Sequence, residues 1–357
     1  MKLTEACFAE QSNCVPERFT NFLKYLLLTI FCTSSIAVCS FAQSSPAKTV
    51  GSEVQKIIID TDIGGDIDDA FAVGLALQSQ EFKILGITTA WGDTTLRARL
   101  LSRFLRETGH TDIPIAVGIV KHRPGELDLL TQARYAEETP PTQSYPNAVD
   151  FILNQIRLQP GEITLVTIGP LTNIAAAIDQ DAATFRKLKR VVMMGGSVYR
   201  GYDKYEYPTI NHEPDREWNI VADISASQKV FISGVPLYVM PLDSTQIEFD
   251  EKKRSMLFRD GTPLTDALTL LYHQWSHGRN GQTPILFDVM AVTYALAPEQ
   301  CPTEPMRVRV DDQGYTKVES GTANAEVCLH SDSDRFFEFF MRRIFEASPQ
   351  TRRSAND

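Results

Sequence analysis

The stretch KIIIDTDIGGDIDDAFA, residues 56–72, decides how the chain is read. Ile57, Ile58 and Ile59 form a short β-branched run, the composition of a strand covered on both faces. The run stops at Asp60, and Asp62, Asp66, Asp68 and Asp69 follow closely. Gly64 and Gly65 stand among them, where the backbone must turn sharply or approach something closely. AFAVGLAL after Asp69 is apolar and alanine-rich, and predicts the start of a buried helix. The acids therefore occupy the carboxyl end of a strand, where open α/β sheets bind their ligands.

Carboxylates crowded at one strand end repel each other, and burying any of them unpaired is costly. A hard divalent cation removes that penalty, and aspartate oxygens suit Ca²⁺ or Mg²⁺ better than a soft metal. The plainer alternative is a solvated acidic turn that caps the following helix. Five acids, two glycines and a hydrophobic strand in register favour the cation.

The 357-residue chain is 43% hydrophobic with Gly and Pro spread along it, a globular composition. Its net charge of −10 argues against DNA or RNA as a partner and is compatible with a small neutral substrate. The first 42 residues are a different material: Lys24 precedes YLLLTIFCTSSIAVCSFA, which ends in the small-x-small pattern Ser40-Phe41-Ala42. Residues 1–42 are read as an export signal, giving a periplasmic or secreted protein, with an uncleaved membrane tether as the alternative. Residues 43–55 read as a flexible linker, residues 56–348 as one folded domain, and residues 349–357 as a polar tail. Four of the six cysteines lie in the leader. Cys301 and Cys328 remain, and their spacing alone does not show whether they pair.

Along the domain, FKILGITTAWGDTT predicts a second strand, TLRARLLSRFLRETG a helix closed by Gly109, and IPIAVG a third strand. Residues 121–146 predict a long loop over the sheet edge. NAVDFILNQIRLQPG reads as an amphipathic helix, and EITLVTIGPLTNIAAAI as strand, turn and helix. LKRVVMMGGSV and VPLYVMPLD are further strands, with IVADISASQKVFISG helical between them. Alternating strands and helices predict an α/β domain with a mostly parallel central β-sheet flanked by helices.

Asp60-Thr61-Asp62 and Asp68-Asp69-Ala70 resemble the two ends of the aspartate signature D-T-D-P-G-x-D-D-A of the inosine–uridine-type nucleoside hydrolases. Ile63 stands in place of the usual proline, and the loop is two residues longer, which adds Asp66. Gly169-Pro170-Leu171-Thr172-Asn173 is similar to the family's G-P-L-T-N turn. Met194-Gly195-Gly196, then Asn211 through Pro214 to Glu217-Trp218-Asn219, resembles its M-G-G and N-x-x-P-x-x-E-[FW]-N blocks. Phe287-Asp288 resembles the family's last metal-binding aspartate at a helix start, where the plainer reading is an N-cap.

The resemblance implies a Rossmann-like fold and Ca²⁺-dependent hydrolysis of the N-glycosidic bond of ribonucleosides. It implies a Ca²⁺ site formed by Asp62, Asp69, the Ile168 carbonyl and Asp288, with Asp62 as general base and Asp60 supporting the ligands from behind. Asp68, Met194, Asn211, Glu217 and Asn219 would surround the ribose, and homodimers or homotetramers are the family's assemblies. Two departures stand out. Asp93 replaces a common Asn and gives an altered ribose contact, and Phe287 replaces the histidine that serves nonspecific members as leaving-group acid. An aromatic there implies a purine preference, with Trp218, Trp275, Tyr272 and Phe287 as a candidate sandwich. His273 and His277 are the nearest alternative acids. Rival readings are a D-x-D phosphatase with Asp60 as nucleophile, and a riboside-binding protein without turnover.

Overall fold

The computed structural model describes residues 54–123, 130–137, 144–203, 213–277, 279 and 281–345. The expected export signal, the polar tail and most of the expected linker lie outside the described residues. Strand β1 (Gln55–Thr61) begins inside the stretch read as linker, its first N–H donating to the Glu81 carbonyl at 2.7 Å.

Ile57, Ile58 and Ile59 are fully buried, as the β-branched run predicts. Successive side chains of a strand point to opposite faces. Ile57 and Ile59 accordingly enter one apolar core and Ile58 the other. Each such side chain contributes about 1.5–3 kcal/mol by leaving water, which anchors β1 in the middle of the fold.

The first half continues with α1 (Asp68–Leu77), β2 (Phe82–Thr89), α2 (Thr94–Glu107), β3 (Ile115–Val117), α3 (Ala133–Glu137) and α4 (Ala148–Leu158). Next come β4 (Ile163–Thr167), α5 (Thr172–Phe185), β5 (Arg190–Met194), α6 (Trp218–Ala222), α7 (Ile224–Phe231) and β6 (Leu237–Met240). Four helices follow: α8 (Leu242–Thr245), α9 (Glu251–Phe258), α10 (Pro263–Ser276) and α11 (Val289–Leu296). The chain closes with β7 (Thr303–Met306), β8 (Val308–Val310), β9 (Thr316–Val318), β10 (Ala325–Cys328) and α12 (Ser333–Phe345).

The main sheet has eight strands in the order β3-β2-β1-β4-β5-β6-β10-β7. All neighbours are parallel except β10 and β7. From β1 the chain builds outward through β2 and β3, then returns to β4 on the other side. The strand order thus reverses between β1 and β4, and a crevice opens outside their carboxyl ends.

Two parts depart from the sequence reading. The segment expected as a loop at 121–146 contains α3, whose Tyr135 is fully buried with its hydroxyl donating to Glu107. Its end does reach the sheet edge, the Val117 N–H of β3 donating to the Pro146 carbonyl at 2.9 Å. Strands β7 to β10 carried no usable signal, being only three or four residues long and partly exposed. Strand β10 nevertheless extends the parallel sheet, and β8 pairs with β9 apart from it.

Cys301 and Cys328 form a disulfide with Cα atoms 5.7 Å apart, tying β10 to the chain before β7. It closes a separation of 27 residues. Restricting the unfolded chain over such a loop stabilises the fold by about 3–4 kcal/mol. Cys328→Ala is therefore expected to lower the unfolding free energy by about that amount, measured by urea denaturation. Reductant should lower the wild type to match and leave the variant unmoved.

Candidate active site

The turn after β1 is built to hold carboxylates close together. Asp68 and Asp69 open α1, where the partial positive charge of the helix start favours anions. Asp69 accepts from the Thr61 hydroxyl, and one Asp68 oxygen accepts from the Asp288 N–H at 3.2 Å. Oxygens of Asp68, Asp69 and Asp288 lie within 4.8 Å of one another, and all three residues are buried.

Asp288 precedes α11, yet its side chain makes no capping bond to that helix. The N-cap reading therefore fails for Asp288. It holds for Asp93, whose carboxylate accepts from the Leu96 N–H at 2.9 Å and caps α2. Asp93 is exposed and is not among the residues that line the cavity beside Asp288.

Asp62, Asp68, Asp69, Ile168, Met194, Glu217, Trp218, Asn219, Phe287 and Asp288 line one cavity of about 350 Å³. This volume lies in the range of small-molecule sites. Asn211 lies outside the described residues. The glycine turn after β4 packs directly against Asp62: a Cβ on Gly169 would stand 2.8 Å from Asp62 Oδ1 and 3.0 Å from its backbone N. Only glycine permits that approach, which brings the end of β4 and the Ile168 residue to the aspartate loop.

Asp60 lies beneath, fully buried, accepting from Thr88 and, at 2.8 Å, from the Asn173 amide. Burial pushes its carboxyl up to about 7, although both hydrogen bonds pull it down. Glu217 caps α6 and accepts from the N–H groups of Asn219 at 2.8 Å, Gly196 at 2.9 Å and Ile220 at 3.1 Å. Burial pushes it also up to about 7, against those three donors. The Asn219 amide donates to the Met194 carbonyl at 3.3 Å, which fixes the direction of its own carbonyl.

Three lining residues escaped the sequence reading, Trp91, Arg97 and Tyr202, while Gly65 and Asp66 lie in the acidic loop it singled out without a role for either. The signal for Arg97 existed, since it shares a helical stripe with Leu101 and Phe104, all buried. Trp91 and Tyr202 sit in irregular segments without periodicity. The expected aromatic sandwich is corrected in part. Trp218 and Phe287 line the cavity, but Trp275 and Tyr272 pack against each other outside it. Trp91 and Tyr202 stand instead, edge-to-face with Trp218 and Phe287 at 6.2 and 6.1 Å. His273 packs against Phe258 and Tyr272, and His277 ends α10; neither lines the cavity.

Burial holds the carboxyls of Asp68, Asp69 and Asp288 well above the usual carboxylate range, and the charges of neighbouring acids push the same way. The donor set is all oxygen, which fits a hard divalent cation. Oxygens within 4.8 Å of one another can share an ion at bond lengths near those of Ca²⁺, about 2.3–2.6 Å.

Residues 57–338 match the family described as inosine-uridine preferring nucleoside hydrolase. The chain is 31% identical over 318 residues to the pyrimidine-specific ribonucleoside hydrolase RihB of Escherichia coli O157:H7, covering 80% of this chain and 95% of that protein. Among solved structures, a plant nucleoside hydrolase superposes with a TM-score of 0.71 at 26% identity, covering 82% of this chain and 99% of that one. A purine-preferring ribonucleoside hydrolase from Gardnerella vaginalis superposes at 0.67 and 25% identity, covering 82% and 98%.

Acids whose folded-state pKa is raised bind more protons folded than unfolded, so their contribution to stability is lost as pH rises through the folded value. The ordinary value is about 4, and Asp60 and Glu217 titrate at about 7 in the fold. A cation held by the neighbouring Asp68, Asp69 and Asp288, whose carboxyls burial raises in the same way, favours the deprotonated forms and offsets that loss. The melting temperature of chelator-treated protein should therefore fall between about pH 4 and pH 7 relative to protein supplied with Ca²⁺. A gap that stays constant with pH in scanning calorimetry would count against cation binding by these carboxylates.

Proposed function

The chain belongs to the inosine–uridine preferring nucleoside hydrolase family, and on that footing we propose that it is a Ca²⁺-dependent N-ribosyl hydrolase with a preference for purine nucleosides. The observation that carries this reading is the convergence of Asp68, Asp69 and Asp288 in a cavity also lined by Asp62, Glu217, Asn219 and aromatic rings.

Breaking an N-glycosidic bond requires a sugar that can carry cation-like charge, a water on the face opposite the base, and an outlet for the base. Asp62, Asp69, Asp288 and the Ile168 carbonyl would hold the cation, with Asp68 beside them for the 2′ hydroxyl. When bound, Ca²⁺ supplies a grip on a vicinal diol and orients and acidifies water. Asp62, half-buried and on the cavity wall, takes the proton of the attacking water. Glu217 and Asn219, locked by their backbone bonds, receive ribose hydroxyls in fixed directions. Trp218 and Phe287 take the apolar faces of the base, with no histidine among the described lining residues to protonate it. Stacking on these rings helps the base leave, which supports purines. RihB, as a pyrimidine-specific relative, supports the opposite preference.

We also propose export through residues 1–42. The Cys301–Cys328 disulfide supports folding in an oxidising compartment.

Inosine, guanosine, uridine and cytidine assayed for free ribose should give turnover that chelator abolishes and Ca²⁺ restores. Asp62→Ala should lower kcat by about 100- to 10,000-fold, the usual range for a general base. Inosine should exceed uridine in kcat/KM. Equal or better turnover of uridine would replace the purine preference with a pyrimidine one, and no ribose from any riboside would sink the assignment.

A further inference from the structure

Asp62 is held from both sides by bonds to its flanking peptides. The peptide before it is fixed because the Thr61 carbonyl accepts from the Ala90 N–H at 2.8 Å. The peptide after it is fixed at both ends: the Ile63 N–H donates to the Thr61 hydroxyl at 3.1 Å, and the Asp62 carbonyl accepts from Arg97 Nη1. Because peptide units are planar, pinning both of them sets φ and ψ of Asp62. The direction in which its side chain leaves the backbone is then set as well.

Arg97 is the long-range member of this frame. It lies on the buried stripe of α2 with Leu101 and Phe104, is 3% exposed, and reaches the cavity wall. A buried guanidinium needs acceptors, and carbonyls of two different loops supply them. Its Nη1 also donates to the Ile63 carbonyl at 2.9 Å, and its Nε donates to the Trp91 carbonyl at 2.8 Å. Trp91, with a φ of 61°, is the only non-glycine with positive φ among the described residues. The turn after β2 thus presents that carbonyl from a conformation that side chains rarely adopt. Gly64 and Gly65 wrap the aspartate loop round the same group, their Cβ positions 3.8 and 3.9 Å from Nη1. A planar fork delivers these bonds in fixed directions, whereas a lysine ammonium is a point charge on a flexible stem and cannot reproduce them.

We propose that Arg97 is the positioning residue for Asp62: its fork sets the peptide after Asp62, so that the carboxylate reaches the cavity before any cation arrives. This rests on the reading of Asp62 as cation ligand and general base, and identifies what holds it in that place.

The test compares wild type with Arg97→Lys, Arg97→Met, Asp62→Ala and the Arg97→Lys/Asp62→Ala double variant, with far-UV circular dichroism to verify folding. Titration calorimetry gives the Ca²⁺ affinity of the chelator-treated proteins, and kcat for inosine is measured at saturating Ca²⁺. Replacing a residue behind a metal ligand changes metal affinity or activity by about 10- to 100-fold. Arg97→Lys and Arg97→Met should both weaken Ca²⁺ binding by about that factor. Both should lower kcat by about 100-fold, the cost of displacing a catalytic group by about 1 Å. In the Asp62→Ala background Arg97→Lys should cost less than about twofold in kcat, because its effect passes through Asp62. Hydrogen exchange on chelator-treated wild type checks the frame without any substitution: the Ile63 and Ala90 amides should exchange with the slowest class of the sheet.

Arg97→Lys with wild-type Ca²⁺ affinity and kcat would overturn the proposal, since charge without the fork would then suffice. Multiplicative losses in the double variant would also overturn it, because Arg97 would then act on the fold and not through Asp62. Should neither Arg97 variant fold, hydrogen exchange decides, and Ile63 and Ala90 amides that exchange at loop rates without Ca²⁺ would overturn it. Wild type that binds no Ca²⁺ would overturn the cation site and this proposal together. Wild type that binds Ca²⁺ but releases no ribose would overturn the hydrolase reading alone, and the Ca²⁺ affinities of the variants would still decide this one.

Discussion

Mutual repulsion among buried carboxylates is the constraint on which the rest of the structure depends. Asp68, Asp69 and Asp288 converge within 4.8 Å, with Asp62 and Glu217 on the same cavity wall. Water would solvate such a group cheaply, but the fold removes most of that water. Asp68, Asp69, Asp288 and Glu217 are therefore pushed toward their neutral forms unless positive charge arrives. Much of the local architecture lowers the cost of keeping them together: the start of α1 beneath Asp68 and Asp69, the Thr61 hydroxyl on Asp69, and the Arg97 charge acting on Asp69.

The sheet topology places this charge where the chain can use it. Strand β1 has β2 on one side and β4 on the other, so the loops leaving β1 and β4 diverge and leave a crevice. The Ile168–Gly169 turn packs directly against Asp62 beside that crevice, with no room for a Cβ at Gly169. The later blocks then close the remaining sides, from the end of β5, the start of α6 and the start of α11. A ligand in the cavity thus touches segments spread from Asp62 to Asp288, which only a correctly assembled sheet brings together.

Two aspartates at helix starts show how little local sequence decides about a role. Asp93 and Asp288 each precede a helix. Asp93 is exposed and bonds back to its own helix, whereas Asp288 is buried beside two other acids and leaves its helix uncapped. The difference lies in what packs over each position, not in the residue or its neighbours. Arg97 makes the same point from the other side. A cation on the apolar stripe of an amphipathic helix is tolerated because carbonyls of two different loops converge on it.

The sequence by itself determined the parallel α/β core, the acidic strand end and most of the cavity wall. Ile57–Ile59 is read correctly because burial on both faces demands an unbroken β-branched run, and strand-end acids and glycines are local signals that need no partner to be recognised. The blocks around Gly169, Glu217 and Asp288 were legible because each is a short contiguous pattern. Only the tertiary structure decided which acids converge, that Asp93 caps a helix, and that Trp91 and Tyr202 replace Trp275 and Tyr272 beside the cavity. It also joined Cys301 to Cys328 and added β10 and β7 to the sheet. These are contacts between residues far apart in the chain, set by packing and by the direction of strand ends, and no local propensity encodes them.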